Sequence, residues 1–437
     1  MRCTMATHNL LVLISFSFFS SYIYAQRPNI IYIMSDDMGY GDLGSYGRKE
    51  YATPHLDKLA SQGIRFTNAY AAAPLCTPTR AALMTGRYPA KTPVGLIEPL
   101  TGSGKDTAYG LTTEYPSMAS LLKASGYKTA MIGKWHLGAL KQHSPILNGF
   151  DYFYGIRSGA ADYISHVGTG HHHDLYENDS LVYHAGYLTE MFTQKAIGFI
   201  NQKHESPFFL ALTYNAPHWP WQGPSDKAYA DTSNFRDGGS SAVYAIMMKS
   251  LDDGIGAVLR ALDDAGLSEE TMVIFTNDNG GERYSDNGGF KNSKATLWEG
   301  GIRVPAFVRW TGKIKSGVTT EQVAITMDWT ATILATASVS ANKDFPLDGI
   351  SLLPVLLGKQ PAIGRTLFWR TYQRNKQQAI RKGRWKYLRD EKAEYLFDLI
   401  NDPSESKNLY LTRQAVFKDM KKLYIQWEKT LLKPVDL

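Results

Sequence analysis

Four stretches of the chain share one design, a short apolar run that ends abruptly in polar residues. Residues 29–34 run into Ser35-Asp36-Asp37, and residues 128–132 into Gly133-Lys134-Trp135-His136. Residues 208–212 run into Tyr214-Asn215-Ala216-Pro217-His218, and 272–276 into Asn277-Asp278-Asn279-Gly280-Gly281. Apolar residues at consecutive positions predict strands buried on both faces, as in a parallel sheet. Between these runs, residues 54–62, 117–124, 187–201 and 243–265 predict helices. The last sets Ile246, Leu251, Ile255, Val258, Leu259 and Leu262 on a helical spacing. Strands alternating with helices predict an α/β fold, a large and mostly parallel sheet sandwiched by helices. Ligands of such sheets bind beyond the carboxyl ends of the strands. All four polar clusters fall there.

The pattern changes after about residue 340. Residues 367–369, 378–381, 385–388 and 394–398 predict short antiparallel strands, and 413–432 a terminal helix. This predicts a smaller C-terminal α+β domain, residues 341–437, following a main domain of residues 26–340. At the other end, Arg2, the apolar run 10–19 and Ala25 form a basic head, a hydrophobic stretch and a cleavage site. Residues 1–25 are therefore expected to be a signal peptide, which implies a secreted or periplasmic protein. No later run reaches the roughly 18 apolar residues that a membrane span needs.

The formal net charge of +6, one lower without Arg2, suits an anionic substrate weakly. Nothing resembles a nucleic-acid module. The two cysteines say more. Cys3 leaves with the leader, so Cys76 stands alone, no internal disulfide is expected, and an exported thiol needs a reason. A buried, inert side chain is the plain reason. Its neighbours argue for another: in Cys76-Thr77-Pro78-Thr79-Arg80, Pro78 suits a helix start. Cys76 would then lie where amides and dipole favour negative charge, with Arg80 one turn along.

The segment Cys-x-Pro-x-Arg, followed by Ala-Ala-Leu-Met-Thr-Gly-Arg-Tyr-Pro, resembles the signature of the formylglycine-dependent sulfatases. Asp36-Asp37-Met38-Gly39-Tyr40-Gly41-Asp42 resembles that family's N-terminal metal motif, and Gly133 to Gly138 its second signature. Ala216-Pro217-His218, residues 276–281, and Lys294 with Trp298-Glu299-Gly300-Gly301 match in the same order. Leu396-Phe397-Asp398-Leu399, Asp402-Pro403 and Asn408-Leu409 resemble its C-terminal domain. The resemblance implies an alkaline phosphatase-like fold and hydrolysis of sulfate esters, with sulfated glycans as substrates. It implies that a formylglycine-generating enzyme oxidises Cys76, and that a hydroxyl of the hydrated aldehyde attacks sulfur.

Asp36, Asp37, Asp278 and Asn279 offer only oxygen, which suits a hard cation and not zinc. The resemblance implies Ca²⁺, with Mg²⁺ open and residue 76 a further ligand. Lys134 and His136, two apart in an extended segment, point the same way. His136 would deprotonate or orient the diol, Lys134 would steady the sulfate, and His218 and Lys294 would serve the leaving alcohol. Ser158 is a candidate hydroxyl near the diol. His166, in a stretch resembling sulfatases of N-acetylgalactosamine 4-sulfate, is a candidate sugar contact. Arg157, Arg283, Arg370 and Arg374 are candidates for neighbouring anionic sugars. Trp219 and Trp221 suit either sugar stacking or core packing. Adjacent His171, His172 and His173 cannot readily face one ion and read as a rim loop. Asn178-Asp179-Ser180 fits a glycosylation acceptor. Two alternatives stay open: a phosphoester hydrolase of the same superfamily, and a sulfated-glycan binder in which Cys76 remains a thiol.

Overall fold

The computed structural model describes residues 27–102, 104–229 and 231–436; the expected leader lies outside them. In chain order the strands are β1 (Asn29–Ser35), β2 (Ile64–Phe66), β3 (Ala69–Tyr70), β4 (Lys128–Lys134) and β5 (Tyr152–Ile156). Then come β6 (Leu175–Glu177), β7 (Ser180–Leu181), β8 (Phe208–Thr213), β9 (Thr271–Asn277) and β10 (Ala306–Arg309). They are followed by β11 (Val318–Thr320), β12 (Ala324–Ile325), β13 (Thr366–Arg370), β14 (Gln377–Lys382), β15 (Trp385–Asp390) and β16 (Ala393–Asp398). The helices are α1 (Pro54–Ser61), α2 (Cys76–Thr85), α3 (Met118–Ala124), α4 (Leu188–Ile200) and α5 (Ser241–Asp264). The rest are α6 (Glu299–Ile302), α7 (Thr326–Thr336), α8 (Leu353–Leu356) and α9 (Gln414–Glu428).

One large sheet runs β11-β2-β10-β9-β1-β8-β4-β5-β6-β7. Its centre, from β9 to β5, is parallel, while β10 and β6 join antiparallel. Every residue of β1, β8 and β9 is buried, which is why their apolar residues run without alternation. Successive side chains serve opposite cores. Ile31 and Ile33 pack with Leu56, Phe192 and Leu251 under α1, α4 and α5. Ile30, Tyr32 and Met34 pack with Leu83, Met118 and Trp329 under α2, α3 and α7. Register brings Ser35 level with Asn277, and Thr213 level with both Met34 and Gly133. The polar sequences after these strands therefore emerge along one edge.

Local chemistry sets the helix ends. Ser117 and Ser240 cap α3 and α5 by accepting from the amides of Ser120 (3.0 Å) and Val243 (3.2 Å). Gly86, at φ +66°, closes α2 by donating its amide to the Ala82 carbonyl. Among the described residues, no helix is long and apolar enough to cross a membrane.

The C-terminal strands β13-β14-β15-β16 form an antiparallel sheet. Its alternating side chains face two ways. Ala379, Leu388 and Phe397 meet Tyr70, Trp298 and Met327 of the main body, while Ile380, Tyr387 and Leu396 meet Met420 and Tyr424 of α9. A buried ion network crosses the first contact. Lys386 Nζ lies 2.9 Å from Glu299 Oε1 and 2.8 Å from Glu405 Oε1, and Arg303 lies 3.3 Å from Glu299 Oε2. Burial alone would raise the Glu299 carboxyl, but Lys386, Arg303 and Arg381 outweigh it and hold it at about 2.

One expectation is corrected, and several elements appear that were not expected. The expected apolar stripe of α5 included Ile246, which is 51% exposed. It lies five residues before Leu251, well off the face that Met247, Met248, Leu251, Ile255 and Val258 bury. The short strands β2, β3, β5, β6, β7, β10, β11 and β12 and the helices α6, α7 and α8 were not expected. Helix α7 is buried at all but one of its positions and rich in Thr, so it carries no amphipathic signal. Ile255→Ala should cost about 2–5 kcal/mol and Ile246→Glu under about 0.5 kcal/mol, as urea unfolding would measure.

Candidate active site

The edge of the sheet gathers the chemistry. Asp36 and Asp37 follow β1, Asp278 and Asn279 follow β9, Lys134 ends β4 with His136 two residues on, and His218 follows β8. Cys76 is the first residue of α2, behind an extended Leu75. One oxygen each of Asp36, Asp37 and Asp278 lies within 4.8 Å of the others, as do ligand atoms of Asp36, Cys76 and His218. Asp37 (φ 62°) and His136 (φ 56°) hold left-handed backbones, each costing on the order of 1–3 kcal/mol that the surroundings must offset. Gly133, at φ +120°, lets β4 press onto β8, since a Cβ there would sit 1.9 Å from the Thr213 carbonyl oxygen.

Three buried carboxylates face three buried cations. Arg80 lies 3.1 Å from Asp278 and 3.4 Å from Asp36, Lys134 lies 2.5 Å from Asp36, and Lys294 lies 2.5 Å from Asp37. Arg80 also donates to the Lys134 carbonyl at 2.9 Å, tying α2 to β4. Burial pushes the carboxyls of Asp36 and Asp37 up, and neighbouring Asp278 adds to both. Two oxygens fit a cation by their lack of other partners. Asp36 Oδ1 and Asn279 Oδ1 are buried without a hydrogen bond, while Asn279 Nδ2 donates to Asp37 Oδ1 at 2.8 Å. Acidic and amide oxygens with orphaned lone pairs are the donor set of a hard divalent cation.

Cys76, His136, His218 and Lys294 line one cavity of about 130 Å³, with Leu100, Trp219, Arg236 and Arg374 around it. Burial raises the Cys76 thiol, against the pull of Lys134 and Lys294. A protonated thiol is a poor nucleophile. Burial, then Lys134, keep His136 neutral, and burial, then Lys134 and Lys294, do the same for His218. His136 Nε2 meets the Leu100 carbonyl at 2.8 Å, so it carries the proton, and buried Nδ1 keeps a lone pair with no partner. His218 Nδ1 meets the Trp219 carbonyl at 2.6 Å, which leaves the Nε2 lone pair 3.4 Å from Asp37.

Two positioning residues were not foreseen. Thr77 accepts from the Leu100 amide at 3.1 Å and donates to the His136 carbonyl at 3.3 Å, bracing both partners of the His136 ring contact. The motif that contains it was its only signal. Tyr163 donates to the carbonyls of Asn215 (2.8 Å) and His218 (2.9 Å) and so anchors the His218 loop. Its only signal was the stretch that contains it, Asp162-Tyr163 with Ser165-His166, which pointed to His166.

Several expected residues lie elsewhere. Ser158 donates to the Ala160 carbonyl at 2.9 Å and borders a neighbouring crevice that His136 shares, not the Cys76 cavity. His166 is buried with Nε2 on the Gly186 carbonyl at 2.8 Å, so it does not face the cavity. Arg157 is buried, 2.6 Å from Asp179 and stacked on Tyr176. Arg283 lies over Trp221, which packs edge-on against Tyr284. Trp219 alone of the two tryptophans lines the cavity. His171 bonds Thr232 and His173 the Val182 carbonyl, so those histidines do not converge. Asn178 is exposed in the turn between β6 and β7.

The sulfatase family model matches residues 28–339, and the model for the C-terminal part of N-sulphoglucosamine sulphohydrolase matches 288–430. The chain is 34% identical to N-acetylgalactosamine-6-sulfatase of Mus musculus, over 88% of this chain and 76% of that one. It resembles the crystal structure of Ps i-CgsB in complex with k-i-k-neocarrahexaose, with TM-score 0.83 and 30% identity over 94% of both chains. It also resembles PsFucS1 sulfatase from Pseudoalteromonas sp., with TM-score 0.73 and 26% identity over 94% of this chain and 92% of that one. The chain belongs to the sulfatase family. It is a sulfuric ester hydrolase with the expected fold, a mostly parallel sheet between helices and a small antiparallel sheet at its C-terminal end.

A cation that binds only the folded site stabilises it by mass action, about 2.7 kcal/mol at a hundred times its Kd. A hard divalent cation, Ca²⁺ or Mg²⁺, at millimolar concentration should therefore raise the unfolding midpoint of the chelator-treated protein, and that rise should vanish in Asn279→Leu, as differential scanning calorimetry would read.

Proposed function

We propose that this sulfatase removes sulfate from a sulfated carbohydrate, using formylglycine made from Cys76 by a separate formylglycine-generating enzyme and a bound Ca²⁺. The observation that carries this reading is the convergence of Cys76, His136, His218 and Lys294 on one cavity beside the buried oxygen set of Asp36, Asp37, Asp278 and Asn279. A carbohydrate substrate draws support from the names of similar proteins, an N-acetylgalactosamine-6-sulfatase and a structure holding a neocarrahexaose. We also read residues 26–340 as the catalytic domain and 341–437 as its C-terminal subdomain, exported behind a cleaved leader.

Asp36, Asp37, Asp278, Asn279 and residue 76 would hold the cation. Formylglycine supplies an oxygen nucleophile for sulfur, and the cation offsets charge on the sulfate oxygens. The remaining work falls to the chain. Three carboxylates already balance Arg80, Lys134 and Lys294, so a divalent cation leaves the cluster positive and receptive to a sulfate. Lys134 and Lys294 each sit within reach of a metal-side carboxylate and can share their protons with sulfate oxygens. His136 Nδ1, the unpartnered lone pair, takes a proton from a hydroxyl of residue 76. Lys294 delivers a proton to the leaving alcohol, and the free Nε2 lone pair of neutral His218 accepts a hydrogen bond from the alcohol so formed.

Sulfate release from sulfated mono- and oligosaccharides by protein coexpressed with the maturation enzyme tests this reading. His136→Ala and Lys294→Ala should each lower kcat/KM by about 10²–10⁴-fold. Chelation should abolish release and Ca²⁺ restore it. Full activity in either variant or in excess chelator would refute these roles.

A further inference from the structure

A second, larger concavity of about 860 Å³ lies on the C-terminal subdomain, between the loop after β13, the β15–β16 turn and the tail after α9. Arg374, Lys376, Arg389, Lys392, Lys429 and Lys433 line it and are all exposed, and Arg370 lies at its floor, donating to the Leu432 carbonyl at 3.0 Å. Among the described residues, none of these seven cations forms an ion pair. The two acidic residues in the lining, Glu391 and Glu428, leave a clear positive excess. Glu428 is already engaged, accepting from Gln378 at 3.0 Å. Unpaired like charges crowded into one concave surface repel one another, a cost that an anionic ligand would relieve.

The groove adjoins the cavity that Cys76 lines. Arg374 lines both. Its loop is fastened to the cavity wall from two sides. The Glu98 carboxylate accepts from the amides of Tyr372 (2.8 Å) and Gln373 (2.9 Å), one residue before Pro99 of the cavity lining. Asn375 Nδ2 donates to the Ala295 carbonyl at 2.7 Å, one residue after Lys294. The groove therefore keeps a fixed place beside the cavity, and its cations other than Arg374 stand outside the space that Cys76 lines.

We propose that this groove is an extended subsite for a polyanionic carbohydrate chain, and that the substrate is a polymer or long oligosaccharide carrying several sulfates, not an isolated sulfated sugar. This rests on the sulfatase reading for the ester that is cut, while the groove's own binding is measurable without turnover. Repeating sulfates match the groove better than one sulfate does, because each further anion meets another unpaired cation. The groove's few aromatic walls and flexible lysines suit charge recognition of a chain over stacking of single rings.

The test pairs binding with kinetics in the full chain. Binding to dextran sulfate would be measured at 0.15 M salt for the protein with unconverted Cys76, for Lys392→Ala/Lys429→Ala/Lys433→Ala, and for Lys313→Ala/Lys315→Ala/Lys359→Ala, which removes equal charge from exposed sites elsewhere. The groove variant should raise Kd at least tenfold, the control variant less than twofold, and uncharged dextran should not bind. In converted protein, the ratio of kcat/KM on a multiply sulfated oligosaccharide to that on a monosaccharide sulfate should fall at least tenfold in the groove variant. Equal losses in both variants, no loss in the groove variant, or displacement by double-stranded DNA as readily as by dextran sulfate would overturn the proposal. A groove-specific Kd change without turnover of any sulfate ester would sink the catalytic reading and leave the groove standing.

Discussion

Three carboxylates, Asp36, Asp37 and Asp278, are driven into a buried space by the ends of two neighbouring parallel strands, and the rest of the site answers to that constraint. A lone buried carboxylate would lose its charge, so the fold surrounds the three with Arg80, Lys134 and Lys294. Each cation comes from a different element: α2, β4 and the loop before α6. The charge cluster thus clamps the helix that carries Cys76 to the sheet that carries the carboxylates. Stability and chemistry draw on the same contacts.

The C-terminal sheet takes part in that clamp from behind. Lys294 sits on a loop braced by Asn375 Nδ2 on the Ala295 carbonyl, by Gln377, which accepts the Leu297 amide at 2.7 Å, and by the Glu299–Lys386 ion pair. Glu299 and Lys386 are wholly buried, so removing either leaves an uncompensated charge and costs about 3–5 kcal/mol. The C-terminal sheet therefore braces the charge cluster, holding Lys294 in reach of Asp37.

Much of this was legible along the chain because it lies in local patterns. Consecutive apolar residues marked β1, β4, β8 and β9, and what followed each strand marked the site, since strand ends in a parallel sheet share one edge. Cys76, Arg80, Asp36, Asp37, Lys134, His136, His218, Asp278, Asn279 and Lys294 do meet there. What was hidden depends on contacts between distant segments. Thr77 and Tyr163 matter through the carbonyls they reach, which no local pattern encodes. Ser158 and His166 lie near the site in sequence but are satisfied by the Ala160 and Gly186 carbonyls. Helix α7, buried on nearly every side, and the short edge strands carry no period to read.

The central claim is that sulfate ester hydrolysis runs through a modified Cys76. The most direct measurement compares two preparations of the protein, one coexpressed with a formylglycine-generating enzyme and one without, on matched sulfate and phosphate esters of one sugar. Mass spectrometry of the peptide holding Cys76 would fix the converted fraction of each. The account predicts sulfate release in proportion to that fraction, with little phosphate release from either preparation. Equal sulfate release by the unconverted thiol protein, or a preference for the phosphate ester, would contradict it.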